Sequence, residues 1–212
     1  MTRGSKWLIG LAAAGLTAFA GAASAFEDKK PAPPANEGAA ALKTGTAVGE
    51  KIPEFKASLI KLDGEKSLAS DLVSTKTARP TAYVFISQTC PFTHKYSKRL
   101  AALTKKYADK VDLLAVYPMR AETAESKAAF QKKNGYECAM INDADGTVAK
   151  ALKISKTPEI VLCSKDGEIL FRGSFDDNPE SESGAKTQFF ANAMDQHLRG
   201  EKVKMTTSQL FG

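Results

Sequence analysis

One cysteine of this 212-residue chain stands where its thiol could react as a thiolate. Cys90 follows a short β-branched and aromatic run at residues 81–86 and directly precedes Pro91, a residue favoured in the first turn of a helix, with Thr89 as the expected N-cap. The dipole and the free N–H groups of a helix N-terminus stabilise a thiolate. The alternative is a small buried hydrophobe, because free cysteine is commonly interior. Since α/β sheets place ligands at the carboxyl ends of strands, we predict that Cys90 is the reactive thiol.

The other two cysteines differ in their predicted surroundings. Cys138 lies at a predicted boundary between a loop and a strand, whereas Cys163 ends an apolar run and is expected in the core. If a peroxide oxidised Cys90 to a sulfenic acid, another thiol would have to resolve it, and Cys138 is the better internal candidate. An odd number of cysteines leaves at least one thiol unpaired in a monomer.

His94 follows Cys90 by four residues, about one helical turn. It could lower the pKa of the thiol or, with Cys90, supply two ligands for copper(I). The alternative is a solvated helix histidine, because His197 is the only other histidine of the chain. We predict no resident metal or cofactor.

Alternating strand and helix patterns must position these residues. Phe92, Tyr96, Leu100, Leu103 and Tyr107 recur at helical spacing and predict an amphipathic helix that begins at Cys90. Strands alternating with helices require a parallel β-α-β unit, and the Asp166-Gly167 turn indicates a final antiparallel hairpin. We therefore predict an α/β domain with a mixed central sheet and helices on both faces. The expected strands are 81–86, 111–117, 138–141, 158–163 and 168–171, the expected helices are 122–133, 147–152 and 185–198, and a single helical turn is expected at 67–72.

The N-terminus has the anatomy of a secretory signal peptide: Arg3 and Lys6, an apolar run, and small residues at 23–25. The alternative is a retained membrane anchor. Cleavage after Ala25 would leave 28 basic against 24 acidic side chains, a net charge of +4, with lysines scattered and no nucleic-acid footprint. We predict a signal peptide (1–25), a flexible linker (26–47), one domain (48–207) and a tail (208–212). The expected location is the bacterial periplasm or beyond, with no membrane association after cleavage, and the oligomeric state stays open.

Several short motifs resemble the redoxin branch of the thioredoxin superfamily, which includes the peroxiredoxin-like AhpC/TSA proteins. They are the segment Val48-Gly49-Glu50-Lys51-Ile52-Pro53-Glu54-Phe55, the Asp63-Gly64 turn, the turn and helix at 143–149, Thr157-Pro158 and the turn at 165–167. The resemblance implies a thioredoxin-like fold over about residues 48–207. It also implies that Thr157-Pro158 forms the cis-proline loop that faces the redox cysteine.

Residues 87–92 and 173–177 are similar to a peroxiredoxin-like subgroup with Cys-x-x-Cys-Pro followed by an aromatic residue and, later, Gly-x-x-Asp-Asp. Ser87 stands at the first cysteine of that subgroup, and Thr93 stands at the second cysteine of a thioredoxin Cys-x-x-Cys. A dithiol cycle closed within this motif is therefore impossible.

The same resemblance suggests peroxidase residues. Ser87 is similar to the hydroxyl residue of the peroxiredoxin Thr/Ser-x-x-Cys motif, which binds the peroxide and the cysteine, although Tyr83 stands where that motif has a proline. Arg172 is the candidate cation by resemblance, and a surface strand arginine is the alternative. The predicted function is an exported thiol oxidoreductase acting through Cys90 on a peroxide or on protein thiols and disulfides, with an external thiol as reductant. A copper-binding protein and a redox-silent interaction module are the alternatives.

Overall fold

A seven-stranded mixed sheet carries the Cys90 segment in a computed structural model that describes residues 45–63 and 66–212. The predicted signal peptide and nearly all of the predicted linker lie outside these residues. The described strands are β1 (Lys56–Asp63), β2 (Lys66–Val73), β3 (Thr81–Phe85), β4 (Asp112–Tyr117), β5 (Ala139–Asn142), β6 (Glu159–Cys163) and β7 (Ile169–Gly173). The described helices are α1 (Pro91–Tyr107), α2 (Ala124–Asn134), α3 (Thr147–Ala151) and α4 (Phe189–Leu198).

Strand β3 lies inside the sheet, whose order is β2-β1-β5-β4-β3-β6-β7. Every residue of β3 is buried, as its β-branched and aromatic composition predicts for a strand covered on both faces. It runs parallel to β4 and antiparallel to β6, so that Phe85 pairs with Val116 on one side and with Glu159 on the other. The residue that ends β3 therefore lies beside the start of β6, and the chain leading into β6 meets the segment that carries Cys90.

The helices cover both faces of the sheet, so the predicted α/β class and mixed sheet are confirmed. One apolar cluster joins the sheet to α1, α2 and α4 through Tyr96, Leu100, Phe130 and Phe190. A second cluster on the other face includes Val148 of α3 together with residues before β1. The apolar residues of α1 recur at helical spacing because they form the face of the helix that packs on the sheet, where Tyr96, Leu100 and Tyr107 are buried. No helix within the described residues is long and apolar enough to cross a membrane.

The single helical turn predicted at residues 67–72 is wrong. These residues belong to β2, which pairs antiparallel with β1 from Lys56↔Val73 to Asp63↔Lys66. Local preferences were weak here, and the backbone hydrogen bonds offered by β1 decide the conformation. Leu72 is buried, while Leu68 stays exposed.

Two predicted helix starts also shift. Helix α2 begins at Ala124, because the Thr123 side chain accepts a hydrogen bond from the backbone N–H of Ser126 and caps the helix. Its predicted end is confirmed, since Gly135 takes the left-handed conformation there. Helix α4 begins at Phe189, because the chain before it forms an irregular loop that is fastened to the rest of the domain.

A buried ion pair fastens that loop to α1. Asp176 is fully buried and accepts hydrogen bonds at 2.7 and 2.8 Å from Nη1 of Arg99, which is 6% exposed. The same nitrogen donates to the carbonyl of Asn178 at 2.8 Å. The segment Gly173–Asp177, noticed in the sequence without a role, thus contributes to holding the helix that begins at Cys90.

Candidate functional site

Cys90 is itself the N-cap of α1, one residue later than the predicted Thr89. Its backbone is extended, its carbonyl accepts the first helical hydrogen bond from the N–H of His94 at 3.3 Å, and no side chain caps the helix. Pro91 occupies the first turn as predicted, and that turn contains no acidic side chain. The thiol of Cys90 is therefore half-buried at the positive end of a helix.

Hydrogen bonds favour the thiolate of Cys90. Burial raises the pKa of this thiol, but hydrogen bonds from the Thr157 side chain, the amide and hydroxyl of Thr93, and the amide of Phe92 outweigh burial and hold the pKa below its ordinary value. In the protonated form the thiol donates to the Thr157 carbonyl at 3.0 Å. The charged form is thus stabilised by polar groups, and no cation contributes to this shift.

Thr93 lies one turn into α1, at the place of the second thioredoxin cysteine. Its side chain is buried, and its hydroxyl oxygen accepts a hydrogen bond from the backbone N–H of Ser87 at 3.3 Å. The same hydroxyl lowers the pKa of Cys90. This hydroxyl therefore holds both sides of the turn between β3 and α1, but it cannot form a disulfide.

The Thr157-Pro158 peptide bond is cis. It immediately precedes β6, and Pro158 is buried while Thr157 is partly exposed. Its position beside the end of β3 explains why the Thr157 carbonyl meets the sulfur of Cys90, as the resemblance implies.

Ser87 does not bond Cys90 through its side chain. Its hydroxyl donates to Oε1 of Glu122 at 2.6 Å and accepts from the backbone N–H of Thr89 at 3.2 Å. The side chain is buried. This arrangement does not fit the predicted role of binding a peroxide together with the thiol.

Glu122 is the residue of this site that the sequence analysis missed. It lies between β4 and α2, is only 8% exposed, and its Oε1 also accepts from the backbone N–H of Gln88 at 2.7 Å. Its other carboxylate oxygen is buried without a partner among the described groups. Lys127 is buried nearby and donates to Asn142 at 2.6 Å; burial lowers its pKa, opposed by the charges of Glu122 and Asp143. No pattern in the sequence singled out Glu122, because its partners lie 34 and 35 residues away.

Arg172 is bonded elsewhere. Its Nε donates to the buried carboxylate of Glu159 at 2.7 Å, and its two other guanidinium nitrogens donate to the carbonyls of Thr46 and Lys153 at 3.1 and 3.0 Å. These contacts join β7 to β6 and to the chain before β1. The predicted cation beside the thiolate is therefore not supplied by Arg172 in this arrangement.

Cys138 and Cys90 lie at opposite ends of the strands of the sheet. It directly precedes β5, whose first residue Ala139 pairs with Leu114 near the beginning of β4, whereas Cys90 follows the end of β3. A five-residue strand spans about 15 Å, and a disulfide requires Cα atoms about 4.4–6.8 Å apart. Burial raises the pKa of Cys138 to about 12, and that of Cys163 likewise to about 12. The geometry gives no support to Cys138 as a resolving thiol within the same chain.

His94 is exposed and its Nε2 lies 2.7 Å from the carbonyl oxygen of Gln88. Its ring meets the edge of the Phe130 ring with centroids 5.5 Å apart. Among residues 45–63 and 66–212, no three histidine, cysteine or acidic side chains come together as metal ligands. The pairing of Cys90 with His94 as two copper(I) ligands stays a prediction.

Comparison with known proteins supports this arrangement of elements. Residues 48–172, more than half of the chain, match the AhpC/TSA family. An uncharacterized conserved protein from Geobacillus kaustophilus superposes with a TM-score of 0.66 at 22% identity, covering 78% of this chain and 89% of that one. A hypothetical protein from Sinorhizobium meliloti 1021 gives 0.66 at 24% identity, covering 78% and 92%.

A third solved structure is the C-terminal domain of a putative thiol-disulfide oxidoreductase from Bacteroides thetaiotaomicron, with a TM-score of 0.50 at 17% identity, covering 60% of this chain and 86% of that one. At such identities these structures establish the fold alone. No curated protein matches. The family match and the thioredoxin-like sheet together show that the chain belongs to the AhpC/TSA family, in the redoxin branch of the thioredoxin superfamily.

Proposed function

We propose that this protein is an exported thiol-disulfide oxidoreductase that works through the single thiol of Cys90. The observation that carries the proposal is the hydrogen bonding of Cys90: a half-buried thiol at the start of α1 whose thiolate is stabilised by Thr93, Phe92 and Thr157. A lowered pKa increases the fraction of thiolate, which is the nucleophile that disulfide exchange requires.

The reaction needs one protein thiol and one external thiol. The Cys90 thiolate attacks one sulfur of a substrate disulfide, the substrate S–S bond breaks, and the leaving thiolate takes up a proton from solvent. Cys90 is then joined to the substrate in a mixed disulfide. The thiolate of an external reductant attacks the substrate sulfur of that bond, so that a disulfide between substrate and reductant forms and Cys90 leaves as a thiolate. Because Thr93 occupies the place of a second cysteine, the chain has no thiol beside Cys90 to break the mixed disulfide itself.

Disulfide exchange fits the site better than peroxide reduction. A peroxidase site needs a cation near the thiolate, whereas Arg172 pairs with Glu159. Cys138, the internal candidate for resolving a sulfenic acid, lies at the opposite end of the strands from Cys90, so that an external thiol would have to take this role. Ser87 is committed to Glu122. Peroxide reduction is the alternative that the same experiment distinguishes.

Export belongs to the same proposal. It depends on the signal-peptide pattern of residues 1–25, and a persistent mixed disulfide requires an oxidising compartment. Fractionation of cells producing the full chain, with N-terminal sequencing of the recovered protein, tests this step. Recovery of an uncleaved chain in the cytoplasm would contradict it.

The test of function follows each thiol separately. Reduced protein is mixed with glutathione disulfide or with hydrogen peroxide, and adducts are located by mass spectrometry. We expect a mixed disulfide on Cys90, its absence in Cys90→Ser, and an unchanged rate in the matched control Cys138→Ser. A Cys90 that forms mixed disulfides no faster than an ordinary free thiol contradicts the proposal. Rapid sulfenic acid formation at Cys90 instead would favour peroxide reduction, and an inert Cys90 would favour an interaction module.

A further inference from the structure

The C-terminal residues 205–212, called the strap below, run along the free edge of β7. The N–H of Arg172 donates to the carbonyl of Thr206 at 2.9 Å, and the N–H of Ser208 donates to the carbonyl of Arg172 at 3.2 Å. The strap is parallel to β7 at this point, with Thr207 opposite Arg172. It therefore forms an isolated β-bridge along the outer edge of the seven-stranded sheet.

The direction of the strap leads it to Cys90. Strand β6 is antiparallel to both β3 and β7, so β7 runs in the same direction as β3, towards the end of the sheet where Cys90 lies. A chain that runs parallel to β7 therefore reaches the same end of the sheet. It does so at the cis-proline loop, where Nζ of Lys156 donates to the carbonyl of Gly212 at 3.1 Å.

The strap and the reactive thiol meet at one atom. A Cβ placed on Gly212 would lie 2.6 Å from the carbonyl oxygen of Thr157. That oxygen is the acceptor of the Cys90 thiol at 3.0 Å. The end of the strap thus covers the backbone directly beside the sulfur.

The domain is shaped to receive the strap. A Cβ on Gly173 would lie 2.8 Å from the backbone nitrogen of Ser208 and closer still to its hydroxyl oxygen, so glycine leaves the room that the strap needs. The Ser208 hydroxyl accepts a hydrogen bond from the backbone N–H of Ser174 at 2.8 Å. Phe211 packs, partly buried, against the core cluster that contains α1.

The seat is specific but shallow. Thr207, Gln209 and Gly212 are exposed, and Leu210 and Phe211 are only partly buried. A segment with few buried apolar contacts can leave without unfolding the rest of the domain.

We propose that residues 209–212 of the strap occupy the surface on which a substrate polypeptide must lie, so that a protein disulfide reaches Cys90 only after displacing them. The fitting partner is an extended segment with an apolar side chain that takes the place of Phe211. A small disulfide needs no such surface and reacts while the strap is seated. The proposal rests on the disulfide-exchange function, but its test uses alkylation, which does not.

The test compares two maleimides on Cys90: N-ethylmaleimide and a maleimide attached to an extended peptide. The variants are a chain without residues 210–212 and Gly173→Ala, which displaces the strap without shortening it; Met205→Ala, exposed at the beginning of the strap, is the matched control. If the strap is open in about a tenth of the molecules, the rate with the peptide reagent rises about tenfold in both variants. The rate with N-ethylmaleimide is expected to change less than twofold.

A ratio of the two rates that stays unchanged in both variants overturns the proposal, and so does an equal rise for both reagents. Thermal unfolding of each variant identifies a misfolded protein, and Phe211→Ala then replaces that variant. Mixed-disulfide formation with a peptide disulfide is measured on the same proteins. If alkylation behaves as expected while no mixed disulfide forms, the disulfide-exchange function fails and the strap proposal stands; the converse result separates them equally well.

Discussion

The pKa of a cysteine is lowered at one end of the sheet and raised at the other. At the end where the parallel strands finish, Cys90 lies at the N-terminus of α1, and hydrogen bonds lower its pKa. At the end of the sheet where those strands begin, Cys138 lies partly buried beside β4, and burial raises its pKa to about 12. The residue type is the same, so the difference comes from the hydrogen bonds that surround Cys90 and from the burial of the Cys138 sulfur. When a helix follows each parallel strand, the free N–H groups of the helix N-termini lie only at the carboxyl ends of the strands.

The two ends of the sheet also differ in their packing and polar contacts. Near Cys90, buried polar side chains from distant segments hold the turn and the helix after it: Glu122 bonds Ser87 and Gln88 of the turn, and Asp176 bonds Arg99 of α1. Near Cys138, a cavity of about 390 Å³ opens between apolar strand residues, with the Arg79–Asp112 ion pair at its border. Buried polar side chains thus support the segment that carries Cys90.

The largest expected effect concerns the support of α1. Asp176→Ala leaves the guanidinium of Arg99 buried without its carboxylate, which costs about 3–5 kcal/mol of unfolding free energy. Chemical denaturation measures this loss. Asp177→Ala, at a partly exposed carboxylate that accepts the N–H of Lys186, is the matched control and should cost much less. Equal losses would mean that the ion pair contributes little.

The next effect compares the two thiols directly. A difference of three pKa units changes the thiolate fraction about a thousandfold, and the lower intrinsic nucleophilicity of the more acidic thiol offsets about half of this on a logarithmic scale. With the pKa of Cys138 at about 12 and that of Cys90 below its ordinary value, we expect Cys90 to alkylate at least about 30-fold faster at pH 7.

Alkylation followed by mass spectrometry between pH 5 and 10 provides the measurement. The rate at Cys90 should reach its plateau as the pH rises past its lowered pKa, while the rate at Cys138 still increases at the upper limit. Similar pH profiles of alkylation for Cys90 and Cys138 would contradict the difference between their pKa values.

A smaller effect isolates one hydroxyl. Thr93→Val removes the side-chain hydrogen bond to the Cys90 sulfur but keeps the backbone ones, so the midpoint of the Cys90 pH profile should rise by about one unit. Thr93→Ser keeps the hydroxyl and serves as the control, with a midpoint close to that of the natural protein. A rise of the same size in Thr93→Ser would assign the effect to packing.

The smallest expected effect concerns Glu122. Glu122→Gln keeps an acceptor for Ser87 and Gln88 but removes the charge, and should cost about 1 kcal/mol of unfolding free energy. Glu125→Gln removes the same charge from a fully exposed position of α2, where solvent screens it, and should cost less than Glu122→Gln. An indistinguishable response of the two variants would contradict the role of Glu122 as an anchor of the turn.

The sequence by itself determined the order of strands and helices between residues 81 and 173, because buried strands and amphipathic helices leave their period in the chain. It also located Cys90 at a strand-to-helix junction, since Pro91 and the apolar spacing after it are local signals. The same local signals failed at residues 67–72, where pairing with β1 replaced the predicted helical turn.

Tertiary structure alone decided the partners of the polar residues. The polar pairs are Ser87 with Glu122, Arg172 with Glu159, and Asp176 with Arg99. The structure also places Cys138 at the opposite end of the strands from Cys90. Each of these relations joins residues that are far apart in the chain or that depend on the direction in which a strand enters the sheet. A hydrogen bond or an ion pair requires side chains a few ångströms apart, and the spacing of residues along one chain carries no record of that distance.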